Sequence, residues 1–229
     1  MGKKNIAYVN NEMLVWARRE TPFESVEELT ERFPRFSTER IKRWETGEEY
    51  PSIREAKDLA NVYKLPFACF FLSDIPPKKV RPYTDRRTAY GTEYGKVSYD
   101  LWKEIKRVND DRETLLNYYD KDLLLEYQTL PIVSTNDSIN EIASSIRNYL
   151  KIPRSFRYKK EYGNNSYNYY RDVLERHGII VAQISGVSLL EMKGLSIFSE
   201  QFPIIAINNK DFERAKTYSL FHEVAHLIC

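Results

Sequence analysis

The spacing of apolar residues changes once along this chain of 229 residues, at Gly178. Upstream of Gly178, apolar residues recur at the three- and four-residue intervals of amphipathic helices. Downstream, residues 179–184 form a short run of branched apolar side chains, as in a buried strand. Residues 195–199 and 203–208 are two more candidate strands, joined by a predicted tight turn at Glu200–Gln201. The pattern therefore predicts a mostly helical α+β protein with a small three-stranded sheet.

The first 74 residues carry start and stop signals for five short helical segments. Ser25 followed by Glu28 has the pattern of a capping box. Pro34 and Gly47 are expected to end the second and third segments. The fifth segment, Phe67–Leu72, is very apolar and is expected to close the bundle. We predict a five-helix bundle whose segments begin near Asn11, Ser25, Ser37 or Thr38, Pro51 and Phe67.

A stretch with several prolines, residues 75–97, follows the bundle, and helical periodicity is lost there. We interpret it as a linker between an N-terminal domain, residues 1–74, and a body, residues 98–229. Four helices are predicted in this body, covering residues 98–119, 138–150, 167–177 and a final helix that includes residues 218–228.

The composition excludes several classes of protein. The formal net charge of +2 produces no strong field toward nucleic acid or membranes. No apolar run approaches the roughly 18–20 residues that span a bilayer, and the N-terminus lacks the apolar core of a signal peptide. Cys69 and Cys229 lie far apart in sequence and suggest no disulfide framework. We predict a cytoplasmic protein with no membrane partner.

The final predicted helix contains an HExxH motif at residues 222–226. His222 and His226 are one turn apart on one face, so both imidazoles can reach a single zinc ion. Glu223 lies beside them, where it can take a proton from water and deliver it to the leaving amine. Because the flanking residues are apolar, we expect a buried helix and a buried histidine pair that needs a ligand. The motif therefore predicts a zinc site with Glu223 as its catalytic residue.

The third zinc ligand is the open question at this site. Catalytic zinc usually has three protein ligands and one open position, and the motif supplies two. Cys229 follows His226 by three residues and falls on roughly the same helix face. We favour apolar packing over ligation for this cysteine. The zinc site is therefore expected to be incomplete within this sequence.

Two parts of the chain resemble known families. Residues 38–52, with a Trp-Glu pair at 44–45 and a Pro-Ser pair at 51–52, are similar to the recognition helix and following turn of Xre/Cro-type helix-turn-helix domains. The body resembles the ImmA/IrrE family of metallopeptidases, a zincin-like fold often fused behind such a domain. The second resemblance lies in the strand Gly178–Ile184, the hairpin of Ile197–Phe198 with Pro203–Asn208, Arg214, the helix Leu220–Leu227 and, more weakly, Thr84–Thr88.

The resemblance implies a zinc-dependent intracellular endopeptidase that cleaves a partner transcription repressor. Such cleavage would control stress-response or mobile-element genes. The resemblance also implies an acidic third ligand beyond the HExxH helix. Since the sequence ends at Cys229, we expect a metallopeptidase domain truncated just after the motif, and its activity stays open at this point.

Helix-turn-helix domains place their second helix in the major groove of double-stranded DNA. On this chain Arg40 and Arg43 would hydrogen-bond to guanine. Glu39 would accept a hydrogen bond from cytosine, and Lys42 would contact phosphate. Residues 1–74 hold 12 Lys and Arg against 13 Asp and Glu, which is less basic than phosphate binding favours. The candidate DNA-binding residues are Thr38, Glu39, Arg40, Lys42 and Arg43, with further positive charge at Lys78, Lys79, Arg81, Arg86 and Arg87.

Three functions therefore stay in competition. The first is a zinc metallopeptidase with a fused helix-turn-helix domain. The second is a DNA-binding transcription regulator whose peptidase-like part is inactive or acts as a sensor. The third is an interaction module that binds a repressor without cutting it, with the N-terminal domain holding a protein partner or a second copy.

Overall fold

The structure is a computed structural model that describes residues 5–77, 97–119, 138–152 and 165–228, together with the single residues 130, 133 and 136. The described residues fall into two compact units. Unit 1 consists of residues 5–77 and 97–106, and unit 2 consists of the described residues from 107 onward. The predicted α+β class with a small three-stranded sheet is confirmed.

Unit 1 is built from short helices around one apolar core. Its elements are α1 Asn11–Arg19, α2 Val26–Arg32, α3 Thr38–Thr46, α4 Ile53–Tyr63, a 3₁₀ helix Phe67–Phe71 and the first residues of α5 Tyr99–Tyr118. The apolar face of each helix enters the core, as the sequence periodicity predicts. The fully buried side chains at its centre are Leu14, Leu29, Ile41, Leu59, Tyr63 and Phe70.

Serine side chains start three of these helices. Ser25, Ser37 and Ser52 are N-caps whose hydroxyls accept from backbone N–H groups in the first turn. Ser52 and Glu55 form a complete capping box. Gly47 ends α3 with φ +78°, the left-handed conformation that glycine adopts without a steric penalty. The local chain chemistry thus sets where these helices begin and where α3 ends.

The fifth segment of unit 1 is a correction to the prediction. The sequence predicts a helix over Phe67–Leu72, but the structure has a 3₁₀ helix at Phe67–Phe71, after which Leu72 is extended. The bonds Cys69 N–H to Pro66 O (2.9 Å) and Leu72 N–H to Cys69 O (3.3 Å) span three residues each. The run is too short, between Pro66 and the extended Leu72, to settle into an α-helix.

A nearly buried ion pair joins α1 to α3. The guanidinium of Arg18 donates to both carboxylate oxygens of Glu45, at 2.8 Å and 3.0 Å, and to the carbonyl of Glu24 at 3.1 Å. The two side chains are only 11 % and 10 % exposed. The hydrogen bond to Glu45 raises the pKa of Arg18 above its ordinary value. This bidentate pair connects α1 to α3.

The start of α5 belongs to unit 1. Tyr99 stacks on Phe23 with ring centroids 5.3 Å apart and meets Phe33 edge to face at 5.1 Å. Its hydroxyl donates to the carbonyl of Val62 at 2.8 Å. These contacts explain why residues 97–106 cluster with the N-terminal helices.

Unit 2 contains the three-stranded sheet and the remaining helices. Its helices are the end of α5, then α6 Ile139–Tyr149, α7 Ser166–Arg176 and α8 Glu213–Ile228. Its strands are β1 Ile180–Ile184, β2 Gly194–Ile197 and β3 Ile204–Asn208, in the order β1-β3-β2. β3 is parallel to β1 and antiparallel to β2, with Ile180 opposite Ile204 and Gly194 opposite Ile207.

The connection between β2 and β3 is longer than predicted. The sequence predicts a tight turn at Glu200–Gln201, but the register pairs Ile197 with Ile204, so residues 198–203 all lie in the connection. Phe202 adopts a left-handed conformation there, with φ +49°. The guanidinium of Arg112 donates to the carbonyls of Gln201 (3.1 Å) and Phe202 (3.2 Å). A long-range contact with α5, rather than turn chemistry, therefore shapes this loop.

The sheet packs against α7 and α8. All five residues of β3 are buried, as expected for a central strand covered on both faces. From α8, Leu220, Val224, Leu227 and Ile228 join the same apolar cluster. This packing determines which face of α8 points away from the sheet and is available for chemistry.

Several predictions fall outside the described residues. They are the linker between residues 78 and 96, its five basic residues, the segment Thr84–Thr88 and Cys229. Within the part of the chain that is described, no helix is both long and apolar enough to cross a membrane.

Candidate metal centre

The turn that leads from β3 into α8 is held by a buried asparagine. Asn208 ends β3, and its side-chain amide donates to the carbonyls of Val187 (3.2 Å) and Met192 (2.9 Å). Its side-chain oxygen accepts from the N–H of Lys210 at 3.0 Å. Each polar atom of this buried side chain thus has a partner. The result is a fixed entry point for α8 relative to the sheet.

The two histidines of the motif meet on one face of α8. His222 Nε2 and His226 Nε2 are 3.3 Å apart, and the two rings are nearly perpendicular at 83°. Two nitrogens bound tetrahedrally to one zinc at ~2.0–2.1 Å would be separated by about 3.3–3.4 Å. The donor set and its spacing therefore fit a single zinc ion, with His222 and His226 as the residues that would hold it.

The burial predicted for this histidine pair is wrong. Both His222 and His226 are exposed in the described structure, whereas Glu223 between them is only 1 % exposed. The apolar flanks at Leu220, Val224 and Leu227 turn toward the sheet. Since a helix turns about 100° per residue, the face that carries residues 222 and 226 lies away from that stripe. The zinc assignment therefore depends on the geometry of the pair and not on a burial cost.

Glu223 is packed against the sheet rather than beside open solvent. Its carboxylate and Cγ lie over Gly194, the first residue of β2. Helix α8 packs along β2, so the glutamate is enclosed between the helix and this strand. Glu223 thus lies to one side of the histidine face, as the motif predicts, and its side chain is held by its surroundings.

An aromatic residue extends the histidine face of α8. The ring of Tyr218 stacks on His222, with centroids 6.2 Å apart and planes 16° from parallel. Tyr218 is exposed and lies one helical turn before His222. The exposed face of α8 thus carries Tyr218, His222 and His226 one turn apart.

A third ligand is not found among the described residues. No group of three His, Cys, Asp or Glu side chains that could hold a metal occurs in the part of the chain that the structure describes. Cys229 lies outside it. The described arrangement thus brings together two imidazole nitrogens, with a carboxylate on the neighbouring residue.

The candidate DNA-binding residues lie in unit 1, on α3, and its three cations are each paired with carboxylates. Lys42 Nζ lies 2.5 Å from Glu27, whose pKa is lowered by that hydrogen bond. Arg43 contacts Glu39 at 2.7 Å and Glu49 at 3.3 Å. The third cation, Arg40, pairs with Glu55.

Arg40 is tied to the following helix. Its guanidinium forms a bidentate ion pair with Glu55 of α4 and lies over the ring of Trp44 at 4.9 Å. Glu55 is itself the partner of Ser52 in the capping box of α4. Arg40 therefore connects α3 to α4, which is a structural role that reading a guanine would disrupt.

The Thr38 side chain also has a hydrogen-bond partner in unit 1. Its hydroxyl is 2.7 Å from the hydroxyl of Thr30 on α2. Glu39 is exposed and lies in the first turn of α3. The five candidates thus share one helix, but four of them have partners elsewhere in unit 1, and Glu39 is paired along the helix with Arg43.

Sequence reasoning missed two residues of these sites. Gly194 lies just outside the predicted strand 195–199, and its contact with Glu223 arises from strand–helix packing that no local pattern encodes. Glu55 had a readable signal, since it follows Ser52 by three residues as in a capping box. Its pairing with Arg40 depends on the fold.

Comparisons with known proteins identify no relative. No family model matches this chain, and neither a curated protein nor a solved structure matches it. The motif and its geometry are therefore the observations that bear on function.

Proposed function

We propose that this chain is a zinc-dependent endopeptidase fused to an N-terminal helix-turn-helix domain. The observation that carries the proposal is the 3.3 Å separation of His222 Nε2 and His226 Nε2 on one face of α8, with Glu223 between them in sequence. The ImmA/IrrE resemblance supports the same reading. It suggests a partner transcription repressor as substrate, with control of stress-response or mobile-element genes as the outcome.

The zinc ion, when bound, supplies Lewis-acid polarisation of the scissile carbonyl and lowers the pKa of a water molecule. His222 and His226 are the residues that would hold it, since their Nε2 atoms face each other. A further ligand has to come from beyond this pair. The exposed position of both rings on α8 leaves space for that ligand and for a substrate.

Glu223 is the proton carrier in this proposal. Its carboxylate takes a proton from the attacking water and passes it to the nitrogen of the departing amine. The side chain is buried against β2, so its conformational freedom is small and its carboxylate is preorganised. A glutamine at this position would keep the shape and lose the ability to accept the proton.

The edge strand supports a polypeptide substrate. β2 lies at the edge of the described sheet, and three of its four residues are half-buried. An extended peptide can pair with such an edge through backbone hydrogen bonds, and Gly194 at its start lies directly over Glu223. A peptide held there would run close to the residue that handles protons.

Duplex binding by unit 1 is the second candidate function. It is favoured by α3, a Ser37-capped helix with Glu39, Lys42 and Arg43 exposed along it. The ion pairs of these side chains are exposed and individually weak, so phosphates can compete for the cations. In this alternative the histidine site is inactive or serves as a sensor.

Zinc titration by calorimetry on the full chain tests the first proposal. Variants His222→Ala and His226→Ala are compared with His177→Gln, because His177 is the third histidine and its Nδ1 bonds to the carbonyl of Val173 at 2.7 Å. We expect wild type and His177→Gln to bind zinc alike. Each alanine variant should bind at least about 100-fold more weakly, since even partners outside the ligand set cost ~10–100-fold. Equal affinity across all four proteins would overturn the proposal.

A further inference from the structure

Gly194 is a glycine whose backbone does not require glycine. It is the first residue of β2, and its φ lies outside the left-handed region that Gly47, Gly178 and Gly186 occupy. Any residue can adopt such a backbone, and glycine weakens a strand by its extra conformational freedom. The reason for a glycine at 194 must therefore lie in the space around it.

That space is filled by Glu223. A Cβ added at Gly194 would lie 2.8 Å from Glu223 Oε1, 3.0 Å from its Cγ and 3.2 Å from its Cδ. All three nearest atoms belong to this one side chain. Glu223 is buried, so these atoms have little free volume into which they can retreat.

We infer that Gly194 is the positioning residue for Glu223: the missing side chain of the glycine creates the space that the carboxylate occupies beside the histidine face. This inference rests on the proposed function, in which that carboxylate carries the proton. Gly194 does not touch substrate or metal through a side chain. It acts through the location of Glu223.

The expected failure of a larger residue at 194 is specific. The atoms in the way belong to a flexible side chain and not to backbone, so the carboxylate moves while the strand stays paired through its backbone. The three atoms nearest the added Cβ all belong to Glu223, and the exposed histidine rings are not among them. Gly194→Ala should therefore leave zinc binding intact and remove the proton carrier from its place.

A double-mutant cycle on the full chain tests the contact independently of activity. Gly194→Ala is made in the wild type and in Glu223→Ala, and unfolding is followed by scanning calorimetry. In the wild type the midpoint should fall, because the added methyl group displaces a buried side chain. In Glu223→Ala the same change should raise the midpoint by about 1–4 °C, since alanine restricts the unfolded chain without a clash.

Two further measurements separate this inference from the proposed function. Zinc affinity of Gly194→Ala should match the wild type, while hydrolysis of fluorescein-labelled casein should fall by about 100-fold or more through kcat, with KM little changed. An equal rise of the midpoint in both backgrounds would overturn the inference. The wild type could instead bind no zinc while Gly194→Ala still shifts the unfolding midpoint in opposite directions in the two backgrounds. That result would overturn the enzymatic role of Glu223 and leave the steric contact established.

Discussion

The polar side chains of α3 and α8, the two helices that carry the candidate functional residues, have different kinds of partner. On α3, Arg40, Lys42 and Arg43 each have a carboxylate partner elsewhere in unit 1 or along the helix. On α8, the imidazoles of His222 and His226 meet each other at a separation suited to a metal. The first arrangement satisfies charges inside the fold, and the second concentrates two lone-pair donors on an exposed surface.

This difference indicates that the polar side chains of α3 stabilise unit 1, whereas the two histidines of α8 form a candidate binding site. Removing a partner from α3 should change how unit 1 folds, because its side chains bridge helices. Removing a side chain from the exposed face of α8 should change ligand binding and leave unit 2 folded.

Glu223→Gln gives the largest expected effect. If the carboxylate carries protons, casein hydrolysis should fall by about 10²–10⁴-fold, the usual contribution of general acid–base catalysis. Zinc affinity should stay at the wild-type value because both imidazoles remain. The measurements are labelled-casein hydrolysis and calorimetric zinc titration, with His177→Gln as the control. Undiminished hydrolysis by Glu223→Gln would show that α8 is not a peptidase site.

Glu45→Gln should have the next largest effect, on the stability of unit 1. The change leaves the Arg18 guanidinium nearly buried without its charge partner, which costs about 3–5 kcal/mol in comparable pairs. All three tryptophans, Trp16, Trp44 and Trp102, lie in unit 1, so their fluorescence reports its unfolding in urea. Zinc affinity should not change.

Glu49→Gln is the matched control for Glu45→Gln. Glu49 also pairs with an arginine, but both side chains of that pair are 44 % exposed, so the expected cost is at most about 1 kcal/mol. If the two variants unfold at the same urea concentration, the buried pair does not stabilise unit 1. A loss of zinc binding in Glu45→Gln would contradict the separation of roles between α3 and α8.

The features that depend only on neighbouring residues could be predicted from the sequence. Helix α1 begins at Asn11 as predicted, and Ser37, Ser52 and Gly47 mark helix ends through capping chemistry that is visible in the sequence. The facing of His222 and His226 follows from the helical repeat alone. These features need only neighbouring residues, so one sequence suffices.

The features that depend on contacts between residues far apart in sequence could not be predicted. The apolar residues that flank the motif correctly indicated that one face of α8 is buried. They did not indicate which face the sheet covers, and this face contains Glu223 and not the histidines. The β2–β3 loop depends on Arg112, about 90 positions away along the chain. The contact of Gly194 with Glu223 requires the packed strand and helix together.

The third prediction concerns the cations of α3 and has a smaller expected effect. If exposed carboxylates hold Lys42 and Arg43 away from DNA, the variant Glu27→Gln with Glu49→Gln should bind a labelled random-sequence duplex about 2–10-fold more tightly, as expected from releasing two exposed ion pairs. Fluorescence anisotropy at two salt concentrations measures this. The release should also steepen the salt dependence.

A matched variant separates cation release from simple charge change. Glu31 and Glu48 are exposed glutamates near α2 and α3 for which the described structure gives no ion pair, so Glu31→Gln with Glu48→Gln removes the same charge. We expect this control to gain less affinity than the released pair. Equal gains would show that only net charge matters, and no binding by any variant would remove α3 as a DNA reader.

The smallest expected effect is a loss of unit 1 stability in acid that depends on Glu55. Burial is the largest single influence and raises the pKa of Glu55, but the hydrogen bonds from Arg40 and Ser52 together outweigh it, so the pKa lies below its ordinary 4.5. A group whose pKa is lowered by folding stabilises the fold above its unfolded-state pKa, and that stability is lost as the pH falls through the folded-state pKa.

The tryptophan-detected thermal midpoint should therefore fall between about pH 5 and pH 3, and Glu55→Gln should lose less over this range than the wild type. Because the pair with Arg40 is partly exposed, the difference should be no more than about 1 kcal/mol. Parallel pH curves for the two proteins would mean that Arg40 does not depend on Glu55. The pair of Arg40 with Glu55 would then add little to the stability of unit 1, and the contrast between the two helices would be weakest at Arg40.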